Sequence, residues 1–204
     1  MMNTREAESG YDFWGAAPES GAVSTTGIFV FVETDDSGIA SGSLEAMAKA
    51  RELADALGTG IAAILLDSED ESLANKLIYA GANKVFLASD KRFEHYETEL
   101  YCDQIAALIQ KADPEIFIAA LSDITKDFFP RLAQRISTGL VSGCIQLEID
   151  TAERSLLATR PIYGGKMCEV ITWKQARPQM VLLQRGIFPP AIVDEYRSGE
   201  IEKI

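Results

Sequence analysis

The chain has 204 residues, of which 47% are hydrophobic and 25% are charged, and its 19 basic and 31 acidic residues give a net charge of −12. This length and apolar content predict one substantial globular domain with its own hydrophobic core, and they exclude a chain that is disordered throughout. The negative charge argues against nucleic acid and anionic membranes as partners, because an acidic protein repels both of these polyanions.

Cysteine usage and the absence of a targeting pattern both indicate a cytoplasmic protein. Cys102, Cys144 and Cys168 are odd in number and form no C-x-x-C motif, which argues against a disulfide framework. No apolar run reaches the ~18 residues that a membrane span needs. The N-terminus lacks the apolar stretch of a secretory signal and is too acidic for a mitochondrial presequence. We therefore expect a cytoplasmic protein without membrane insertion.

Residues 1–26 are predicted to form an N-terminal extension. They are polar and rich in small residues, and they show neither helical nor strand periodicity. Tyr11, Phe13 and Trp14 stand close together here, and large aromatic side chains in a terminal segment usually pack on the body of the chain or on a partner. A flexible leader and a docked segment are both open interpretations.

From residue 27 to residue 136 the pattern alternates between strands and helices. The predicted strands are short, continuous apolar runs typical of strands buried on both faces. They span residues 28–32, 61–66, 85–88 and 116–121. The predicted helices carry apolar residues at helical spacing and span residues 44–57, 70–80, 97–112 and 128–136. This alternation predicts parallel βαβ units with right-handed crossovers.

After Gly139, strand-like runs follow one another with little helix between them. These runs span residues 141–149, 155–160, 167–173 and 180–183. They predict an antiparallel meander that extends or flanks the parallel sheet. The expected fold is thus a three-layer α/β domain over residues 27–188, with a mainly parallel sheet, flanking helices and a C-terminal antiparallel extension. Residues 189–204 begin with a proline pair, end in mixed charge and are predicted to be a tail or linker.

The sequence contains little that points to an autonomous enzyme. Its single histidine, His95, lies in a polar segment and is predicted to be solvated, which leaves no pair of imidazoles for a metal site or a catalytic relay. No G-x-x-x-x-G-K-[ST] phosphate loop is present, and no G-x-G-x-x-G follows the first strand. We therefore expect no catalytic residue and no metal ligand.

One candidate binding segment is the loop from Ser122 to Asp127, which follows the fourth predicted strand. Ligands of open parallel sheets collect beyond the carboxyl ends of the strands, and the N-terminus of the next helix offers free N–H groups to an anion. Thr125 is the candidate ligand-binding residue in this loop. The alternative is that Thr125 or Asp127 only caps the helix.

The second candidate is the segment from Thr159 to Lys166, which contains Arg160, Gly164 and Gly165. An arginine inside a strand is poorly placed for simple solvation, and a pair of glycines lets another backbone or a ring approach closely. Two alternatives stay open: a surface arginine beside a β-turn, and a salt bridge within the domain, for example to an acid near Glu148.

Several segments together resemble the N-terminal domain of the electron-transfer flavoprotein α subunit over residues 27–188. They are IFVFVE, AKARELADALG, YAGANKVFLASD, DFFPRLAQRISTGLVSGC followed by LEID, LATRPIYGGKMCEVIT and RPQMVLLQRGIF. The resemblance implies an adenine-nucleotide hydrolase-like fold that pairs with a β subunit and supports flavin-mediated electron transfer from dehydrogenases, acyl-CoA-type dehydrogenases among them. It further implies that FAD belongs to the assembled complex rather than to this chain alone, and that the β subunit carries AMP or a second FAD.

The same resemblance implies that Arg160, Gly164, Gly165 and Thr125 lie near a flavin or nucleotide held by the partner. The sequence departs from the family in two ways. Family members usually continue into an FAD-binding domain, so residues 189–204 would lead toward a domain absent here, in either a fragment or a free-standing relative. Relatives also often have asparagine where this chain has Lys166.

Two other functions are compatible with the sequence. The chain could be a free-standing adenine-nucleotide-binding module that uses the crevice of its own sheet, although no convincing phosphate loop supports this hypothesis. It could also be a structural adaptor whose N-terminal aromatic residues recruit a dehydrogenase.

Overall fold

The computed structural model describes residues 27–66, 70–88 and 90–204. The predicted N-terminal extension, with Tyr11, Phe13 and Trp14, lies outside the described residues. In chain order, the strands and α-helices are β1 (Gly27–Val32), β2 (Thr34–Asp35), β3 (Gly38–Ile39), α1 (Ser41–Leu57), β4 (Gly60–Leu65), α2 (Glu71–Tyr79), β5 (Lys84–Leu87), α3 (Thr98–Ala112), β6 (Ile116–Ala120), α4 (Asp123–Arg135), β7 (Leu140–Cys144), β8 (Gln146–Asp150), β9 (Ser155–Ile162), β10 (Met167–Thr172), β11 (Gln179–Leu183) and β12 (Glu200–Lys203).

The main sheet contains seven strands in the order β12-β5-β4-β1-β6-β11-β7. Every neighbouring pair in it runs parallel. Parallel neighbours need a crossover connection, and helices α1 to α4 supply it between the strands that alternate with them. The predicted alternation of strands and helices is therefore confirmed. None of the described helices combines the length and the hydropathy that a membrane span requires.

Helices cover both faces of this sheet, so the predicted three-layer arrangement is confirmed. Successive residues of a strand point to opposite faces, and β1 shows this directly. Ile28 and Val30 belong to the hydrophobic cluster formed with α1 and α2. Phe29 and Phe31 belong to the cluster formed with α3 and α4, where the rings of Phe31 and Phe128 meet edge to face with 5.0 Å between centroids. The continuous apolar run of β1 is thus explained by burial on both sides.

The region after Gly139 follows the prediction only in part. The run predicted over residues 141–149 is two strands in two different sheets: β7 joins the main sheet, and β8 joins an antiparallel sheet of order β10-β9-β8. The run predicted over residues 180–183 is not part of the meander, because β11 lies between β6 and β7 and is parallel to both. The reason is burial. β11 is buried at all five positions, as an interior strand must be, whereas β8 is exposed at three of its five positions.

The end of the chain also differs from the expected tail or linker. After β11, residues 184–199 form a segment, here called the strap, that crosses helices α1 and α2. Its backbone donates hydrogen bonds to the Leu44 carbonyl from Ala191 (3.0 Å) and to the Tyr79 carbonyl from Asp194 (2.9 Å). β12 then pairs with β5 at the sheet edge. The mixed charge of this segment predicts a solvated tail. In the structure, its acidic side chains instead form ion pairs with Lys84 of β5 and so hold β12 at the sheet edge.

We expect Glu45→Ala to loosen the strap and to lower the free energy of unfolding by about 1–2 kcal/mol. Glu45 lies in the first turns of α1, is 8% exposed, and accepts hydrogen bonds from the backbone N–H groups of Gly186 (2.9 and 3.0 Å) and Phe188 (3.3 Å). The alanine variant leaves these N–H groups without their acceptor. Hydrogen exchange of the strap amides and urea unfolding would measure both effects.

The matched control is Glu52→Ala, which removes another glutamate of α1, one that is exposed and paired with Lys49 on the surface. It should leave the strap amides as protected as in the wild type. If Glu45→Ala exchanges no faster than this control in residues 184–199, Glu45 does not anchor the strap.

Candidate functional site

The first candidate site lies where the chain order of the main sheet reverses. From β1, the chain continues to β4 on one side and later returns to β6 on the other side, which makes the crevice at their carboxyl ends the topological switch point. A cavity of about 300 Å³ opens there. It is lined by Glu33 and the two residues of β2, by the first turns of α1 and α4, by the end of β6, and by Arg185, which follows β11.

Thr125 is a structural residue at this crevice. Helix α4 begins at Asp123, earlier than the predicted start at residue 128, because Ser122 caps it and forms a reciprocal capping box with Thr125. The hydroxyl of Thr125 donates to the Ala120 carbonyl (2.7 Å) and accepts from the Ser122 N–H (2.8 Å), and the side chain is fully buried. Thr125 therefore has no exposed surface that a ligand could contact. Its role is the one given by the alternative interpretation, which is to cap helix α4.

Asp127, the other predicted cap, instead joins α4 to the start of α3. Its carboxylate accepts hydrogen bonds from the hydroxyls of Thr98 (2.5 Å) and Tyr96 (2.6 Å). These two bonds hold the pKa of Asp127 below its usual range. Burial, together with the bond to Asp127, raises the pKa of Tyr96 to about 12. The carboxylate of Asp127 thus makes its hydrogen bonds within the fold, and Asp127 does not line the crevice.

The crevice already holds a negative charge where a phosphate would bind. The Ser122 hydroxyl donates a hydrogen bond to Glu33 Oε1 (2.7 Å), which puts a carboxylate beside the N-terminus of α4. Asp35 and Asp123 also line the cavity, and Arg185 is the single cation among the described lining residues. A nucleotide phosphate would meet these carboxylates, so the crevice fits neither an adenine nucleotide nor the pyrophosphate of a flavin dinucleotide.

Gly42 has a packing role at this crevice. A Cβ atom at Gly42 would lie 2.9 Å from the Cβ of Ala120, closer than real Cβ contacts. Glycine is therefore required where α1 approaches the end of β6.

The second candidate site is the hairpin formed by β9 and β10, and residues 159–170 are here called the hairpin arm. At its tip, Tyr163, Gly164 and Gly165 have positive φ angles of 50°, 66° and 84°. The two glycines suit this left-handed turn, and among the described residues no atom beyond the glycine and its chain neighbours lies within 4 Å of a Cβ built on either of them. Tyr163 is 76% exposed, and Met167 is 58% exposed. The tip is therefore open, and it exposes large apolar side chains next to the charged Lys166.

Arg160 forms an ion pair across the hairpin arm. It stands opposite Glu169, and its Nε donates to Glu169 Oε2 at 3.0 Å. The predicted salt bridge within the domain is thus present, with Glu169 rather than an acid near Glu148. Arg160 also lies close enough to Cys144 for its charge to lower the pKa of that thiol, although burial dominates and raises the pKa to about 12.

The structure brings Arg160, Gly164 and Gly165 together on the hairpin arm and places Thr125 separately, at the start of α4. Sequence reasoning missed Glu169. A signal for it exists, because Arg160 and Glu169 are placed symmetrically about Gly164–Gly165, as cross-strand partners in a hairpin must be. His95 is exposed, as predicted. The described residues contain no cluster of acidic, histidine and cysteine side chains that could hold a metal ion.

Comparison with known proteins identifies relatives for nearly the whole described chain. The family model "Electron transfer flavoprotein domain" matches residues 28–204. The electron transfer flavoprotein subunit alpha of Clostridium acetobutylicum is 36% identical over 180 residues, which cover 87% of this chain and 54% of that protein. The corresponding subunit of Megasphaera elsdenii is 33% identical over 175 residues (86% and 52%). Protein FixB of Clostridium saccharobutylicum is 34% identical over 178 residues (87% and 53%). The chain spans about half the length of these curated relatives.

Proposed function

The chain belongs to the electron transfer flavoprotein domain family, and from that premise we propose that it acts as an α-subunit-type domain that pairs with a β subunit and supports flavin-mediated electron transfer from dehydrogenases. The observation that carries this proposal is the match over residues 28–204, together with α-subunit relatives that align with most of the chain. The acidic crevice argues against the alternative of a free-standing adenine-nucleotide-binding module.

The hairpin arm is the proposed contact surface for the β subunit. Tyr163 and Met167 are each more than half exposed at the tip of this arm, and exposed large apolar side chains mark an interaction surface. β10 is also an edge strand of its three-stranded sheet. Unpaired backbone groups along such an edge favour contact with another chain.

We further propose that the complex binds FAD and that the β subunit carries AMP or a second FAD. The flavin supplies the electron-accepting and electron-donating chemistry, while the protein supplies binding and electrostatics. Arg160, Gly164 and Gly165 are the residues of this chain proposed to lie near a cofactor held by the partner. The open tip leaves room for a ring at the glycines, and the guanidinium can bind an anionic group.

The electron donor is proposed to be a dehydrogenase of the acyl-CoA type, which reaches the flavin through the assembled complex. We place this reaction in the cytoplasm. The net charge of −12 supports a protein that binds neither nucleic acid nor an anionic membrane.

Co-expression with a β subunit is expected to yield a yellow 1:1 complex, whereas the chain purified alone should be colourless. Met167→Asp should weaken this assembly at least tenfold, because it puts a charge into the apolar contact (a tenfold change is about 1.4 kcal/mol). Gel filtration would report the assembly, and absorbance near 450 nm would report the flavin.

The matched control is Ala107→Asp, which adds the same charge at an exposed position of α3, away from the exposed large apolar side chains. It should assemble like the wild type. A wild-type chain that stays monomeric beside the β subunit, or that carries stoichiometric FAD alone, would contradict the proposed function.

A further inference from the structure

Arg160 and Glu169 stand where the hairpin arm leaves the protein core. They are directly opposed in the antiparallel pair of β9 and β10, so their side chains project from the same face. Toward the body, this face continues with Ala158, which is fully buried. Toward the tip, it continues with Met167, which is 58% exposed. The ion pair is therefore attached to a rigid part of the sheet and borders an open surface.

The contact uses only one of the nitrogen atoms of the guanidinium. Nε donates to Glu169 Oε2 at 3.0 Å, and within the described part of the chain neither Nη atom makes a hydrogen bond. A guanidinium has five N–H donors in a fixed plane. The four N–H donors on the two Nη atoms of Arg160 are thus left for another acceptor, while the bond from Nε to Glu169 holds the orientation of the guanidinium.

The ion pair between Arg160 and Glu169 adds little to the stability of the fold. The side chains of Arg160 and Glu169 are 37% and 41% exposed, and ion pairs between such exposed groups contribute little to folding. An acceptor on Nε does, however, restrict the rotation of the guanidinium plane, and a restricted plane loses less entropy when it binds a ligand.

We propose that Glu169 is a positioning residue, which holds Arg160 through Nε so that both Nη atoms are free to bind an anionic group of the flavin cofactor held by the partner. This inference rests on the proposed function and adds to it a residue that touches no cofactor itself. It requires hydrogen-bond acceptance at residue 169 but not negative charge. A glutamine there can accept from Nε through its amide oxygen, whereas an alanine cannot.

The test compares Glu169→Gln, Glu169→Ala and Arg160→Ala in the co-expressed complex with the β subunit. The dissociation constant of FAD is measured by FAD fluorescence on titration of the flavin-depleted complex. Glu169→Ala should raise this constant about five- to tenfold, as expected when a charge-assisted hydrogen bond is weakened. Glu169→Gln should stay within about twofold of the wild type, because its amide oxygen replaces the acceptor.

The matched control is Glu148→Ala, which removes an exposed glutamate from the opposite face of the same three-stranded sheet. It should bind FAD like the wild type, and all four variants should assemble and melt like the wild type. The inference is overturned if Glu169→Ala binds FAD normally, if Glu169→Gln is as weak as the alanine variant, or if Arg160→Ala has no effect. Failure of the proposed function has a different outcome, since the wild-type complex itself would then not form or would not bind FAD.

Discussion

Gln179→Leu is expected to lower the free energy of unfolding by about 2–3 kcal/mol, the cost of leaving a buried polar group without its partner. Gln179 begins β11 and is fully buried. Its Oε1 accepts from the Leu156 N–H (2.7 Å), and its Nε2 donates to the Arg154 carbonyl (3.0 Å). This one side chain therefore links the main sheet to the start of β9. Leucine fills the space but can neither accept nor donate, so urea unfolding should show the loss.

The matched control is Gln184→Leu, one residue beyond the end of the same strand, where the side chain is exposed. It should change the free energy of unfolding by no more than about 0.5 kcal/mol. A second variant, Gln179→Glu, keeps the acceptor but loses the donor, so it should also be destabilised. Equal stability of Gln179→Leu and Gln184→Leu would show that the buried amide does not hold the two sheets together.

Arg160→Ala is expected to weaken FAD binding by the complex with the β subunit about 10- to 100-fold. This corresponds to the ~1.5–3 kcal/mol of a hydrogen bond to a charged group. Arg160→Lys should recover only part of the affinity, because a point charge lacks the two-pronged geometry of the guanidinium. Fluorescence titration with FAD would measure both constants, and a shift in the reduction potential of the bound flavin would be a second readout.

The stability of the isolated chain separates this interpretation from a purely structural one. The ion pair with Glu169 is exposed, so Arg160→Ala should lower the free energy of unfolding by less than ~1 kcal/mol. A larger loss of stability, with unchanged cofactor binding in the complex, would show that Arg160 only holds the hairpin arm together.

Much of the fold follows from the sequence because its central elements are specified locally. Runs such as residues 28–32 and 116–121 are apolar on both faces, and only an interior parallel strand flanked by helices buries both faces. The intervening helices carry their own periodicity and end signals. The resemblance to the electron-transfer flavoprotein family also rests on contiguous segments, and the family match confirms it.

The positions of the C-terminal strands in the main sheet could not be predicted in the same way. An apolar run such as β11 looks the same whether its neighbours are parallel or antiparallel, and its place between β6 and β7 depends on partners 39 or more residues away in sequence. β12 is held at the far edge by Lys84, and this pairing spans 116 residues. A pattern of mixed charge cannot distinguish an edge strand held by such ion pairs from a solvated linker.

The same distinction between local and long-range information applies to the candidate site. By itself, the sequence determined the α/β class, the acidic character, and a hairpin with Arg160 beside Gly164 and Gly165, because composition and turn chemistry are local properties. Only the tertiary structure decided that Glu33 occupies the crevice, that Thr125 is buried in a helix cap and that Glu169 binds Arg160. The physical reason is that hydrogen-bond acceptance and burial depend on which groups the fold brings within about 3 Å of each other. Glu33 and Ser122, 89 residues apart in sequence, become neighbours only when β1 and β6 pair.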